Sequence, residues 1–287
     1  MVNIQSNSNP LLINAGWFSW LAGFLDAEGN FQVFKKNRIH YYNIGFGFHL
    51  SLHIRDHSVL QDIQSRFGGR GKIFLYPHRQ EAHYAIVKFE DVKWCILNVF
   101  DHLIFLTKHQ FKRYSLFRYV VLNNFTKVNS LDEFNAFLNN ELPGHIWYNY
   151  PNDWSPTSLF DNNIQTEITL PKFNLSSIEH LNYFDHWICG FANGECWFSQ
   201  RDNGYFSFGL EQKESEVLSL IKKRFNFQTQ ISFRPSRGVN RNPTYSFSIQ
   251  SKQDLNTIIC FFENSNLIQL QGHKFSQFQD WKNAIRN

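Results

Sequence analysis

Two glutamates, Glu28 and Glu195, stand at the same place in two segments that repeat each other. Trp20-Leu-Ala-Gly-Phe-Leu-Asp-Ala-Glu-Gly-Asn-Phe31 lies over Trp187-Ile-Cys-Gly-Phe-Ala-Asn-Gly-Glu-Cys-Trp-Phe198. The identical pairs are Trp20/Trp187, Gly23/Gly190, Phe24/Phe191, Glu28/Glu195 and Phe31/Phe198, all at the offset 195 − 28 = 167. Each segment reads as a helix that ends at its acid, where the helix dipole makes a carboxylate unfavourable by about 0.3 to 1 kcal/mol. An acid at that position in both copies asks for a cation. If Gly23 and Gly190 let the two helices pack side by side, the carboxylates converge and repel each other unless a divalent metal neutralises them. That is a geometry for two-carboxylate hydrolysis of phosphodiesters.

The elements that would position these acids repeat as well. Val59, Leu60, Ile63, Arg66 and Phe67 mirror Val217, Leu218, Ile221, Arg224 and Phe225 at 217 − 59 = 158, with helical spacing. Leu106, His109 and Phe111 mirror Leu270, His273 and Phe275 at 270 − 106 = 164, with Gln110 opposite Lys274. The order of blocks is kept while loops change length, as in a gene duplication. Amphipathic helices are predicted near 56–66, 91–104 and 108–123, then near 213–225, 252–263 and 272–285. With the strands between them, each half reads αββαββα. The organisation is an N-terminal repeat over 1–123, a linker over 124–176 with one helix starting at the Ser130–Glu133 capping box, and a C-terminal repeat over 177–287.

After each Glu the hydrophobic period changes to two. Phe46, Phe48, Leu50, Leu52 and Ile54 share one face of a strand; Gly47, His49, Ser51 and His53 share the other. The same parity turns Gln32, Phe34, Lys36 and Arg38 outward in the first half, and Ser199, Arg201, Asn203 and Tyr205 in the second. Lys72, Ser207, Ser232, Arg234, Thr244 and Ser246 join them, while Arg70, Arg79, Arg237 and Arg241 fall at turns. The fold class is α+β: two antiparallel sheets backed by helices on one side, forming a saddle about a pseudo-two-fold axis. Outward Arg, Lys, Gln, Asn and Ser suit the reading of base edges.

Composition narrows the alternatives. The 287 residues are 43% hydrophobic and 18% charged, a folded composition, and the net charge of +4 permits a polyanionic partner without demanding one. No apolar run approaches a bilayer span and residues 1–10 are polar, so a soluble chain without membrane association is expected. The four cysteines (Cys95, Cys189, Cys196, Cys260) lack disulfide or zinc-finger spacing and are read as reduced thiols. The 12 histidines are scattered, which argues against a histidine-based nuclease or metal site. A carbohydrate- or protein-binding platform is disfavoured because Phe (31) outnumbers Trp (8) and alternation sends most of it inward.

Leu21-Ala-Gly-Phe-Leu-Asp-Ala-Glu-Gly29 resembles the LAGLIDADG motif, and Ile188-Cys-Gly-Phe-Ala-Asn-Gly-Glu-Cys196 looks like its degenerate second copy. The resemblance runs from Trp17 to about Trp281. It implies a single-chain, two-repeat homing endonuclease, acting as a monomer, that makes a staggered double-strand break at a long DNA target. It implies two or three divalent ions at Glu28 and Glu195, with the carbonyls of Ala27 and Gly194 as further ligands. Magnesium is expected, with manganese as a substitute and calcium as an ion that binds without supporting cleavage. A basic residue is expected near each scissile phosphate: Lys274 fills that place in the second half, whereas the first has Gln110, with Lys108 or His109 as substitutes. Cys196 for Gly29 and Asn193 for Asp26 read as drift. The alternative within the fold is an intron maturase that binds its host intron RNA. Phe and Asn richness points to an AT-rich genome and hence an organelle matrix, the mitochondrion ahead of the chloroplast.

Overall fold

A computed structural model describes residues 10–37, 42–138, 183–201, 204–236 and 242–287. The first repeat runs α1 (Pro10–Glu28), β1 (Asn30–Asn37), β2 (Tyr42–His53), α2 (His57–Arg66), β3 (Lys72–Tyr76), β4 (Glu81–Ile86), α3 (Phe89–Asn98) and α4 (Lys108–Leu122). After β5 (Lys127–Val128) and α5 (Leu131–Leu138) comes the second: α6 (Tyr183–Glu195), β6 (Cys196–Gln200), β7 (Phe206–Gln212), α7 (Ser215–Phe225), β8 (Ser232–Arg234), β9 (Thr244–Ile249), α8 (Lys252–Phe262) and α9 (Gly272–Arg286). Each repeat is thus αββαββαα, one helix more than the αββαββα order. The expected 91–104 helix breaks at Val99 (φ −129°, ψ −66°) and passes into a 3-10 turn over Phe100–His102. Among the described residues no helix is long and apolar enough to cross a membrane.

Both sheets are antiparallel and share one topology, β1-β2-β4-β3 and β6-β7-β9-β8. Alternation sorts their faces. In β4, Ala82, Tyr84 and Ile86 are buried while Glu81, His83 and Ala85 alternate with them on the other side. The inward phenylalanines form two ring clusters: Phe31 packs on Phe48, Phe100, Phe105 and Phe117, and Phe198 on Phe208, Phe262 and Phe278. At about 1.5 to 3 kcal/mol for each ring buried, this is why so much of the composition is Phe.

The two sheets are joined at the motif helices. Gly23 lies against the Trp187 carbonyl and Gly190 against the Trp20 carbonyl, so tightly that a Cβ on either would enter the opposite backbone. Within each motif helix one ring pair stacks, Trp20 on Phe24 (5.1 Å between ring centroids) and Trp187 on Phe191 (4.7 Å).

Part of the expected linker belongs to the first repeat. The β5 strand pairs with β2, and Val128 and Phe134 close a small core with Ile44 and Val120. The capping box forms, since Ser130 Oγ accepts the Glu133 N–H at 3.0 Å and Glu133 reaches back to the Asn129 N–H at 2.8 Å. The remainder of the linker, 139–176, lies outside the described residues.

Candidate DNA-cleavage site

Both motif helices end on their acids, Glu28 at the end of α1 and Glu195 at the end of α6. The helix ends touch: Gly194 lies so close to Ala27 that a Cβ would crowd it at 2.6 Å, with Glu28 Oε1 3.0 Å from the same point. Only a residue with no side chain lets the second acid approach the first. Burial pushes the Glu195 carboxyl up to about 8, assisted by the negative charges of Glu28 and Glu211 and opposed by Lys213 and Lys274. Burial likewise raises Glu28, and Lys274 pulls it back. The pair therefore resists double ionisation by itself.

These acids fit a divalent ion. Among the described residues no three His, Cys, Asp or Glu side chains cluster as a metal cage. The donor set is instead two carboxylates at helix ends, where the carbonyls of Ala27 and Gly194 are also found. Hard oxygen donors of this number suit a cation that retains waters and takes its remaining ligands from a substrate phosphate.

Beside Glu28 opens a polar pocket of about 230 Å³ lined by Ser51, His53, Arg55, Asp56, Asn193, His273, Lys274 and Gln277. Lys274 Nζ donates to the Cys196 carbonyl at 2.6 Å. Gln110, at the equivalent position, makes the equivalent contacts: its Nε2 donates to the carbonyls of Leu25 (2.6 Å) and Gly29 (2.8 Å). Gln110 is 0% exposed and held between these two carbonyls, away from the surface of the described residues. The two suggested substitutes have partners of their own. The Lys108 ammonium is paired with Glu216 at 3.1 Å, and the His109 imidazole is held neutral, down to about 4, by burial, Arg113 and Lys213. The positive charge acting on Glu195 comes instead from Lys213 and Lys274.

Asp26 and Asn193, at equivalent repeat positions, have a shared task. Asp26, fully buried, accepts the N–H groups of Leu106 (2.7 Å) and Thr107 (3.2 Å), the Thr107 hydroxyl (2.6 Å) and the Trp187 indole (2.9 Å). Burial still lifts its carboxyl to about 7. Asn193 Oδ1 accepts the Gln271 N–H at 2.6 Å. Each holds the approach to the last helix of its repeat. Trp20, the counterpart of Trp187, has no acceptor for its indole among the described residues.

On the sheets, register sets Gln32, Phe34, Lys36, His49, Ser51 and Lys72 on one outward face and Ser199, Arg201, Tyr205, Ser232, Arg234 and Thr244 on the other. Arg79 is exposed in the turn between β3 and β4. Ser207 and Ser246 have the outward register but are 6% and 3% exposed, covered within the sheet. Arg70 is turned to the helix layer, its guanidinium 3.6 Å from the Trp94 ring centroid and bonded to the Phe67 carbonyl. Arg38, Asn203, Arg237 and Arg241 lie outside the described residues.

Sequence reasoning missed the lining residues Arg55, Asp56, His273 and Gln277, and Lys213 beside Glu195. It also missed Trp197 and Glu211. The Trp197 ring covers Gly209, as the Phe34 ring covers Gly45. Glu211 accepts from Arg234 Nη1 and from the Thr244 hydroxyl, both at 2.6 Å. The offset of 158, applied to Asp56, reaches Glu214.

The chain belongs to the LAGLIDADG endonuclease family, whose sequence pattern matches residues 21–121 and 188–285. A probable intron-encoded endonuclease, aI3 of Dictyostelium citrinum, is 26% identical over 91% of this chain and 92% of its own length. A probable intron-encoded endonuclease of Schizosaccharomyces pombe, Cox1-I1b, is 25% identical over 98% of this chain and 66% of its own. Among solved structures, I-GzeII in complex with its DNA target covers 93% of this chain and 88% of its own, with a TM-score of 0.61 at 23% identity. I-SmaMI bound to uncleaved DNA with calcium ions gives 0.62 at 20% identity, over 93% and 90%. These neighbours share the fold.

Proposed function

We propose that this endonuclease is a site-specific, magnesium-dependent homing endonuclease that makes a staggered double-strand break in a long DNA target. The single observation that carries this reading is the convergence of Glu28 and Glu195 at the contact of two helix ends, each from its own repeat. One acid per repeat matches one scissile phosphate per strand. The outward faces of the two sheets supply readout along the groove, with Arg, Lys and Gln for base edges and phosphates.

In this mechanism Glu28 and Glu195 would hold divalent magnesium, with the Ala27 and Gly194 carbonyls as further ligands. An ion bound there would supply a lowered pKa for the attacking water and stabilisation of negative charge on the leaving 3′ oxygen. Water attacks phosphorus, the P–O3′ bond breaks, and 5′-phosphate and 3′-hydroxyl ends result. Lys274 compensates phosphate charge beside Glu28, and Lys213 does so beside Glu195. Manganese substitutes for magnesium, and calcium supports binding alone. Both repeats lie in one chain, so the active species is a monomer. Intron-encoded relatives and a Phe- and Asn-rich composition support an organelle, the mitochondrion, as its location.

The test is incubation with a plasmid carrying the joined exons that flank the host intron. Magnesium is expected to give linear product, and calcium to give binding without cutting. Binding of the host intron RNA with no cutting in magnesium or manganese would favour the maturase reading.

A further inference from the structure

Two carboxylates cross the boundary between the repeats. Asp56, just before α2, accepts the His273 N–H at 2.6 Å. Glu214, just before α7, accepts the N–H groups of Lys108 and His109, both at 2.8 Å. They occupy one repeat position, since 214 − 56 = 158 is also the offset of Val59 and Val217. Each acid thus serves the first turn of the last helix in the opposite repeat, where backbone N–H groups have no partner within the helix and a negative charge is favourable.

The two contacts differ in a way set by side-chain length. Aspartate is short, so its carboxylate must come up to the backbone of α9. A Cβ on Gly272 would collide with Asp56 Oδ1, and Gly272 has φ +59°, which favours glycine. Glutamate reaches further, and Lys108 takes the place corresponding to Gly272 (272 − 108 = 164). The turn that Asp56 holds carries Lys274. From its own repeat that turn is approached by Asn193, bonded to the Gln271 N–H. The Lys274 backbone is therefore anchored from both repeats before its ammonium reaches the Cys196 carbonyl.

We infer that Asp56 is a positioning residue for cleavage: acting across the repeat boundary, it fixes the first turn of α9 and so holds Lys274 beside Glu28. Glu214 does the same for α4, but that turn presents the buried Gln110, so Glu214 anchors structure alone. This inference rests on the endonuclease reading.

The experiment compares Asp56→Ala, Asp56→Asn, Glu214→Ala, Lys274→Ala and the Asp56→Ala/Lys274→Ala double variant with wild type. Single-turnover cleavage in magnesium, DNA affinity in calcium and amide exchange of residues 272–275 without DNA or metal are measured. Asp56→Ala is expected to slow cleavage about tenfold with affinity nearly unchanged, because a small misplacement of a positioned group costs rate more than binding. Asp56→Asn retains an acceptor oxygen and restores the rate; Glu214→Ala cuts as wild type does. The double variant is no slower than Lys274→Ala alone, because both changes remove one function. Wild-type cutting matched by Asp56→Ala, or additive losses in the double variant, would overturn the inference. If wild type itself does not cut, the endonuclease reading fails, and amide exchange decides the anchor: His273 exchange unchanged in Asp56→Ala removes it.

Discussion

At the residue scale the two acids set the pH behaviour. Without metal, Glu195 binds its proton more tightly in the folded chain (about 8) than in the unfolded one (4.5), and Glu28 shifts the same way. Their contribution to stability is therefore greatest in acid and is lost as pH rises toward about 8. Thermal denaturation of the metal-free protein should show Tm falling between about pH 5 and 8. Glu195→Gln should flatten part of that fall and raise Tm at pH 8, by on the order of a few kcal/mol of stability. Magnesium should raise wild-type Tm at pH 8 and do much less for the variant. A variant less stable than wild type at pH 8 without metal would show that the acid is a structural partner. Arg234 makes a second case at this scale. Glu211 grips one edge of its guanidinium and the Trp197 ring lies 5.9 Å away, which pre-orients it on the sheet. Glu211→Gln should broaden base preference in the C-terminal half-site, read by cleavage of a randomised target; an unchanged profile would remove Arg234 from readout.

At the scale of elements, the helix seam is less forgiving than any cap. Gly190→Ala would drive a methyl into the Trp20 carbonyl, a backbone atom that cannot step aside. A loss on the order of 3 kcal/mol or more is expected from such overpacking. Ser251→Ala, which removes the oxygen accepting the Asp254 N–H at the start of α8, should cost about 1 kcal/mol. Denaturant unfolding of the two variants checks the ranking, and equal losses would mean that the seam can relax. What was legible in the sequence follows the same physics. Helices and strands announced themselves by period, and the acids by duplication. The roles of Gln110, Arg70 and Asp56 were not legible, because each depends on a partner brought close by folding: the Gly29 carbonyl, the Trp94 ring and the His273 N–H. Parity placed Ser207 and Ser246 on the outward face but gave no measure of how deeply their neighbours cover them.

At the scale of the whole molecule, duplication has produced two similar halves with dissimilar centres. The first repeat contributes Glu28; the second contributes Glu195, Lys274 and Lys213. Asp56 and Glu214 exchange across the seam, so neither repeat is complete without the other. The unequal basic groups predict unequal rates on the two DNA strands. End-labelled substrate should show a nicked intermediate on one preferred strand before linear product; simultaneous cutting of both strands would mean that Lys213 and Lys274 are equivalent.

In the proposed mechanism one acid from each repeat makes a single cleavage centre. Its most direct test is magnesium-dependent cleavage of the exon-junction plasmid by wild type, Glu28→Gln and Glu195→Gln, with DNA affinity measured in parallel in calcium. Linear product from wild type alone, with both variants still binding the target, is the predicted result. Linear product at the wild-type rate from either variant would contradict it.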